Sequence, residues 1–501
     1  MDLLISLIPA LVMILLVILT KRVIISLGTG IVLGSLLAYN FNIRNSIAFI
    51  WDSFYMIITD TGWYLPILSF VVIIGVIASL ITVAGGTRAF ADWAVSKVKN
   101  HKTAQLVAWM LGIIICIDDY FNTLVIGELS KPITDKYKVS RAKLSYIIDS
   151  TSAPVVILLP LSTWGAYIIG TLSGIFEEIG YTTYTGTTAF VNFIPLQFYA
   201  IVAVILVYIV IKFDINLGPM KHFEDTANKG NDISKSINLK ELKEDDISSK
   251  GTPLTLILPI VILILSVFIF MYLSAGSIAG MLEVDITVPL FKAGLVGLVV
   301  AVILAIKNHV HIKTIWKSSV IGMRSTISAL IILVLAWMIG NVIGELGTGE
   351  LISKYISESL LNINLLPFIV FIISGFIAFA TGTSWGTFGI LLPIGASVAI
   401  TSSPEHMLPI LAAVLGGAVL GDHCSPISDT TVLSSTGAKC TLHAHFTSQL
   451  PYALFAGICA AFGYLVYGFT QNLLLSYLTI IVIISVFIYM YKYSISKSKD
   501  L

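Results

Sequence analysis

The chain has 501 residues, of which 57% are hydrophobic and 11% are charged, and its formal net charge is +1. A soluble domain carries about 25% charged residues, so the composition excludes an ordinary soluble protein and predicts an all-α polytopic membrane protein. A net charge close to zero gives no reason to expect nucleic acid as a partner. The cysteines lack the paired spacing of a zinc site or a disulfide framework.

One membrane-spanning helix needs about 17–25 apolar residues, and by that measure we predict about 11 full spans. They lie at residues 3–20, 22–40, 64–84, 144–170, 191–212, 253–274, 290–306, 318–342, 407–435, 447–469 and 473–491. The first is interpreted as a spanning helix and not as a cleaved signal peptide, because its N-terminal flank is acidic and it has no small-residue cleavage site.

Two further apolar stretches, 104–130 and 365–400, are interrupted by polar residues, at Asp118 to Asn122 and at Thr381 to Gly386. Loops rich in lysine and arginine are typical of the cytoplasmic side, which predicts an external N-terminus and a cytoplasmic C-terminus. All basic loops then lie on the cytoplasmic side only if each of these two stretches enters and leaves the membrane on the same side. Both are therefore predicted re-entrant hairpins, the first opening to the cytoplasm and the second to the outside.

This order of elements predicts an inverted repeat. Residues 1–212 form the first repeat with hairpin 104–130, residues 253–469 form the second with hairpin 365–400, and residues 470–501 add a C-terminal helix and tail. Inverted repeats whose broken helices meet near the midplane are the plan of many secondary transporters. Segment 213–252 mixes charges and has few apolar residues, which predicts a charged, solvated cytoplasmic linker, with a regulatory segment as the alternative.

The most unusual stretch runs from Gly421 to Ser435, directly after an apolar helix. A charge at bilayer depth costs at least about 2.5–3.5 kcal/mol, so Asp422 and Asp429 indicate a functional site. Pro426 interrupts helical hydrogen bonding, and irregular backbone at that depth is confined to protein interiors or watery cavities. Histidine side chains ordinarily titrate near neutral pH, and His423 is either part of a proton path or a hydrogen-bonded structural residue.

Carboxylates with oxygen-bearing neighbours are the candidates for binding a proton or a cation. Repulsion between the adjacent Asp118 and Asp119 should raise one pKa and permit exchange of a proton for a cation, although either residue could instead cap the next helix. Hydroxyl groups supply the hard oxygen ligands that Na⁺ prefers, or they bond back to their own helix. The cation- or proton-binding set is Asp118, Asp119, Asn122, Asp149, Ser150, Thr151, Ser152, Asp422, His423, Ser425, Asp429 and Thr430.

A second set is predicted to line the substrate path: Ser162, Thr163, Trp164, Thr381, Thr383, Ser384, Trp385 and Thr387. Between the loop clusters these elements contain no lysine or arginine, which a carboxylate substrate would normally require unless helix N-termini bind it. The sequence therefore favours Na⁺, H⁺ or an amine-bearing solute. His443 and His445, near Lys439 in a predicted cytoplasmic loop, are interpreted as surface residues.

The run from Gly421 to Thr431 resembles the signature of the NhaC-type Na⁺/H⁺ antiporter family, and the segments Asp118–Asn122, Asp149–Pro154 and Thr381–Thr387 are also similar to it. The resemblance covers most of the chain. It implies the ion-transporter superfamily fold, an elevator movement, a homodimer in the cell (inner) membrane, and no cofactor besides transported or coupling Na⁺ and H⁺. It does not fix the substrate, because the family includes Na⁺/H⁺ exchangers, malate/lactate exchangers and amino-acid carriers.

Three functions are consistent with parts of this sequence. The leading hypothesis is secondary active Na⁺/H⁺ antiport through intramembrane aspartates, and the alternative is a Na⁺- or H⁺-coupled carrier of an amino acid or small carboxylate, including malate/lactate exchange. Val419 to Asp422 superficially resembles the Gly-Asp motif of intramembrane aspartyl proteases. Such an enzyme pairs two aspartates to activate water and needs no opposed hairpins. The sequence therefore predicts a transporter and not an enzyme.

Overall fold

A computed structural model describes residues 3–20, 22–62, 64–95, 98–116, 118–234, 248–277, 287–347, 351, 362–426 and 428–499, and all regular secondary structure in these ranges is helical. The α-helices are α1 Leu3–Thr20, α2 Val23–Ala38, α3 Ile43–Thr59, α4 Tyr64–Val83, α5 Gly86–Val95, α6 His101–Ile114, α7 Asp119–Lys136, α8 Arg141–Asp149, α9 Ala153–Val156, α10 Thr163–Ile179, α11 Gly186–Phe193, α12 Phe198–Phe213, α13 Pro219–Asn228, α14 Pro253–Ala275, α15 Thr287–Lys307, α16 Ile312–Glu345, α17 Leu366–Thr381, α18 Ser384–Ser402, α19 Met407–Cys424, α20 Asp429–Ala438, α21 Leu442–Thr470 and α22 Leu473–Lys499.

Within the described residues, six helices are long and apolar enough to cross a membrane, and a seventh candidate is α11 joined to α12 through a 48° bend. This confirms the all-α polytopic membrane protein that the composition predicts. Three of the predicted spans are interrupted: 144–170 is divided among α8, α9 and α10, 407–435 is divided between α19 and α20, and 191–212 contains the bend between α11 and α12. A count of uninterrupted helices is therefore smaller than a count of apolar stretches.

Helices α6 and α7 form a first helical hairpin. At its open end the His101 Nδ1 atom lies 2.9 Å from the Tyr137 carbonyl oxygen. At its tip the Asn122 side chain donates to the Gly112 carbonyl at 2.9 Å. Residues early in one helix thus contact residues late in the other, which makes the two helices antiparallel. Asn100 and Thr103 form a capping box that fixes the start of α6.

Helices α17 and α18 form a second hairpin against α19. A Cβ at Gly417 would meet Phe371, and a Cβ at Gly421 would meet Gly375, so α17 runs in the same direction as α19. Helix α18 runs the opposite way, because its Ser384 hydroxyl donates to the Ala418 carbonyl at 3.3 Å, whereas its later residues lie beside the start of α19. Gly382 ends α17 at φ +71°, a left-handed conformation that suits glycine.

The hairpins open at opposite ends of α21. At the start of this helix, the Thr441 backbone donates to the Ser234 carbonyl at 2.8 Å, on the side where segment 213–234 meets the first hairpin. We call this the linker side. Near the far end of α21, a Cβ at Gly468 would collide with Asn364, which immediately precedes α17. Helix α21 therefore passes the open end of one hairpin and then that of the other.

A separate group of helices, α1 to α4 with α14 to α16, packs together beside the hairpins. Helices α4 and α16 cross closely, since a Cβ at Gly75 would lie 2.6 Å from the Gly322 carbonyl oxygen. From the hairpin side, α10 packs against α4 and α16, and α18 packs against α16. We call α1–α4 and α14–α16 the scaffold group, because its members pack mainly against one another.

The described part of the predicted linker is packed and not fully solvated; residues 235–247 lie outside the described residues. Glu224 on α13 is 2% exposed. Its carboxylate accepts from the Ser140 backbone at 2.8 Å and lies 3.2 Å from His101 Nε2. Asp232 accepts from the Arg141 backbone at 2.9 Å. These acids satisfy amides at the start of α8, where a helix needs acceptors.

The His101–Glu224 pair gives this contact a pH dependence. The hydrogen bond to Glu224 raises the pKa of His101. Burial alone would raise the pKa of Glu224, but the hydrogen bond from His101 and the charge of Lys143 outweigh burial and lower it. The His101 contribution is complete below its ordinary pKa of about 6.5 and is lost as pH rises through the higher folded value. The Glu224 contribution is present above about 4.5 and is lost as pH falls through the lower folded value.

The substitution His101→Gln is expected to lower stability by about 1 kcal/mol near pH 6 and by less near pH 9, because the wild-type contribution falls as pH rises through the raised pKa of His101. Thermal unfolding of the purified protein at both pH values measures this difference. His222→Gln, on the exposed face of α13, is the matched control and should change neither value. An equal loss at both pH values would contradict the ion pair.

Candidate functional site

The first break in a helix follows Asp149, the last residue of α8. Asp149 is fully buried. Its Oδ1 accepts from the Ser434 hydroxyl at 3.0 Å, and its Oδ2 accepts from the Gln449 amide at 2.6 Å and lies 3.2 Å from His445 Nε2. These partners come from α20 and α21. The carboxylate at the first break therefore contacts the polypeptide around the second break.

The second break separates α19 from α20. Asp422, in the last turn of α19, is fully buried and accepts from the Ser428 hydroxyl at 2.7 Å and from the Thr430 hydroxyl at 2.6 Å. Ser428 also caps α20 by accepting from the Thr431 backbone. The Ser425 hydroxyl is buried and makes no hydrogen bond among the described residues. Because the helix stops at Cys424, Asp422 and Asp429 do not share one continuous helical face.

The tip of the first hairpin lies against the first break. The Ser152 hydroxyl donates to the Asp119 carbonyl at 2.9 Å, and the Thr163 hydroxyl donates to Asp118 Oδ2 at 2.9 Å. Asp119 is 1% exposed and is the first residue of α7. Asn122 is buried and its amide donates to backbone carbonyls of α6. The structure thus brings both predicted tip acids next to the broken helix.

The tip of the second hairpin meets the end of α19 and the start of α10. The ring centroid of Trp385 lies 5.6 Å from that of Trp164 and 4.9 Å from that of Tyr167. Trp385 is 4% exposed and Trp164 is 1% exposed. Neither indole N–H has a hydrogen-bond partner among the described residues. These two aromatic residues of the predicted substrate set are therefore brought together as a wall between the hairpin and α10.

Other predicted residues make local contacts. The hydroxyls of Thr151 and Thr387 donate to carbonyls of their own chain segments, Ile147 at 2.6 Å and Thr383 at 3.0 Å. Ser162 caps α10 by accepting from the Gly165 backbone. This is the local bonding that the sequence left open as the alternative to ion coordination. Ser150 and Thr383 are buried, and the side chains of Thr381 and Asp429 lie outside the described residues.

A polar cluster lies at the two helix breaks and consists of Asp149, Asp422, His423, Ser434, His445 and Gln449. Two of its residues, His445 and Gln449, were not predicted. The interpretation of His445 as a surface residue is wrong, because its side chain is fully buried against Asp149, whereas His443 is exposed. The spacing of four residues between His445 and Gln449 places them on one face of α21 and is the signal that the sequence contains. Helix α21 buries this face because it packs beside both breaks. His423 joins the same cluster, with its Nδ1 atom 2.9 Å from the Tyr199 hydroxyl.

Two basic side chains of α8 extend away from this cluster. Arg141 pairs with Asp135 and donates to the Ala438 carbonyl at 2.8 Å. Lys143 donates to the Ile215 carbonyl at 3.1 Å and to the Asn216 side chain at 2.8 Å, on the linker side. No group of three or more His, Cys, Asp or Glu residues suited to a metal ion occurs among the described residues. Carboxylates combined with hydroxyl and carbonyl oxygens are the ligands that this cluster can offer a cation.

A family model described as the Na⁺/H⁺ antiporter family matches residues 155–469. The chain belongs to the Na⁺/H⁺ antiporter family. Its resemblance to the NhaC-type members is thereby confirmed, and the protein is a secondary transporter in the membrane. The matched region extends from α9 through the second hairpin and both halves of the second break to the end of α21.

Two relatives and one solved structure are similar to this chain. An uncharacterized protein of Haemophilus influenzae is 38% identical over 93% of this chain and 91% of its own length. The malate-2H⁺/Na⁺-lactate antiporter of Bacillus subtilis is 32% identical over 42% of this chain and 43% of its own length. The YdaH transporter of Alcanivorax borkumensis has a similar fold, with a TM-score of 0.58 at 13% identity over 86% of this chain and 90% of that chain.

Proposed function

We propose that this transporter is a Na⁺/H⁺ antiporter whose intramembrane aspartates exchange Na⁺ for H⁺. The observation that carries the proposal is the buried contact between the two helix breaks. Asp149 ends one broken helix and binds Ser434 and Gln449 beside the other. Buried carboxylates are costly unless they are compensated by a proton, a cation or hydrogen bonds. If H⁺ and Na⁺ bind the carboxylates in turn, the buried negative charge is compensated during transport in both directions.

Asp422 is the centre of the proposed Na⁺ site. It accepts hydrogen bonds from Ser428 and Thr430, whose oxygens can turn to a cation when their hydrogens rotate away. The end of α19 adds backbone carbonyls without helical partners, and the negative end of the helix dipole favours a cation there. The buried Ser425 hydroxyl is close in sequence to these groups. Hard oxygen ligands of this kind suit Na⁺.

We propose an elevator movement as the mechanism of alternating access. The hairpins and broken helices form one packed body, which meets the scaffold group mainly where α10 lies on α4 and α16 and where α18 lies on α16. Movement of the whole body along that interface would carry both helix breaks with it and leave their contacts unchanged. The predicted inverted repeat, the homodimer and the cytoplasmic position of the linker side belong to this proposal.

Coupled transport of a small organic solute is the second candidate function. Trp164 and Trp385 pack edge to face at the second hairpin tip, and their indole N–H groups have no hydrogen-bond partner among the described residues. Such groups can bind a polar oxygen of a solute while the rings contact its apolar part. The similarity to a malate-2H⁺/Na⁺-lactate antiporter makes small carboxylates one class to test.

Purified protein in liposomes is expected to move protons when a Na⁺ gradient is imposed and to do so without any organic solute. A pH-sensitive dye trapped inside the vesicles measures the change, and vesicles without protein are the control. Proton movement that requires malate, lactate or an amino acid in addition to Na⁺ would contradict plain antiport and support the second candidate. Absence of any Na⁺-dependent proton movement from active protein would contradict the proposed function.

A further inference from the structure

Helix α21 is neither broken nor part of a hairpin, yet it contributes two side chains to the polar cluster. His445 and Gln449 are fully buried and lie one turn apart. Both contact Asp149, at 3.2 Å and 2.6 Å. A continuous helix that packs along both breaks is a rigid support, and supports of this kind fix the geometry of residues that bind a ligand.

Gln449 connects the two breaks directly. Its Nε2 donates to Asp149 Oδ2 at 2.6 Å and to the His423 carbonyl oxygen at 3.1 Å. Asp149 is the last residue of α8, and His423 is in the last turn of α19. An amide nitrogen carries two hydrogens, so one side chain can serve both acceptors. Both acceptors are negative, one as a carboxylate and the other as the C-terminal end of a helix dipole.

Two negative groups repel each other at close range unless a donor or a cation lies between them. The neutral amide of Gln449 supplies such donors without adding a charge that would compete with a transported cation. It thereby holds Asp149 close to the end of α19 whether or not an ion is bound. The hydroxyl of the neighbouring Ser448, by contrast, donates to the His445 carbonyl of its own helix at 3.0 Å.

We propose that Gln449 is a positioning residue that holds the Asp149 carboxylate against the C-terminal end of α19, so that both helix breaks contribute to one cation site. This inference rests on the proposed function, because it assumes that the breaks bind the transported cation. Gln449 lies within the body that is proposed to move. Its loss should therefore weaken cation binding and leave the rate of the movement unchanged.

The substitution Gln449→Met keeps the length of the side chain and removes both hydrogen bonds. We expect the half-saturating Na⁺ concentration to rise about tenfold, because the binding ion must then bring the site residues into position itself. The maximal rate of proton movement should stay within about twofold of the wild-type rate. Discrimination between Na⁺ and Li⁺ should also weaken, since ligand spacing selects ion size. Ser448→Ala, one residue away and equally buried, is the matched control and should retain wild-type values.

The shorter Gln449→Asn side chain can reach at most one of the two acceptors and should give an intermediate rise, which keeps the inference testable if the methionine variant does not fold. Wild-type Na⁺ dependence and ion discrimination in both variants would overturn the positioning role while leaving antiport intact. A reduced maximal rate at an unchanged half-saturating concentration would overturn it as well. Absence of Na⁺-dependent proton movement in the wild-type protein would instead overturn the proposed function.

Discussion

Replacing Asp422 with asparagine is expected to abolish Na⁺-driven proton movement. Asparagine preserves the shape of the side chain but removes its charge, and at about 4 Å a carboxylate attracts a monovalent cation by about 4 kcal/mol at an effective dielectric constant of about 20. That energy corresponds to about a 1000-fold loss of affinity. The amide also places a donor where Ser428 and Thr430 already donate to Asp422.

Proteoliposomes with a trapped pH-sensitive dye measure this effect over a wide range of Na⁺ concentration. Asp52→Asn is the matched control, because Asp52 is an exposed acid of α3 and lies outside the polar cluster. It should transport like the wild-type protein. Thermal unfolding of both variants establishes that they are folded. Robust Na⁺/H⁺ exchange by folded Asp422→Asn protein would contradict the placement of the Na⁺ site at the second break.

The sequence predicted the breaks well because each carries its own local signal. Proline restricts the backbone and removes a hydrogen-bond donor, whereas glycine permits left-handed conformations that other residues avoid, so Pro426 and Gly382 mark interruptions without any knowledge of packing. Charges in an apolar stretch are equally local, and Asp149 and Asp422 are both buried in the polar cluster as expected. The polytopic fold followed from composition for the same reason, since hydropathy is a property of each segment taken alone.

Features that depend on long-range packing were not predictable in this way. The burial of His445 results from its contact with Asp149, which lies far away in the chain. In the sequence, Glu224 is one of many charges in a polar linker. Only the structure shows that its carboxylate contacts His101 and the Ser140 backbone. The direction of a hydroxyl group is also a tertiary property: Thr151 donates back to the preceding helix α8, whereas Ser434 donates to Asp149 of a distant segment.

The fit between the second hairpin and α19 leads to a prediction about stability. A Cβ added at Gly421 would lie 2.1 Å from the Gly375 carbonyl oxygen and 2.6 Å from the Phe379 backbone nitrogen. Both are backbone atoms and cannot rotate away, so Gly421→Ala must push α17 from α19. We expect a loss of about 1–3 kcal/mol, the usual cost of overpacking, together with loss of transport because Asp422 is the next residue. Thermal unfolding and Na⁺-dependent proton movement measure the two effects.

The same substitution at Gly28 is the matched control. Gly28 is also inside an apolar helix, α2, but a Cβ there meets no atom within 4 Å. Alanine has the better helix propensity, so Gly28→Ala should leave stability unchanged or raise it by about 0.5–1 kcal/mol, and transport should persist. Opposite effects of one chemical change would show that close backbone contact, and not helix propensity, requires glycine at Gly421. Equal tolerance of alanine at both positions would mean that α17 can move away from α19 without loss of stability, and the hairpin would then be a loosely attached element beside Asp422.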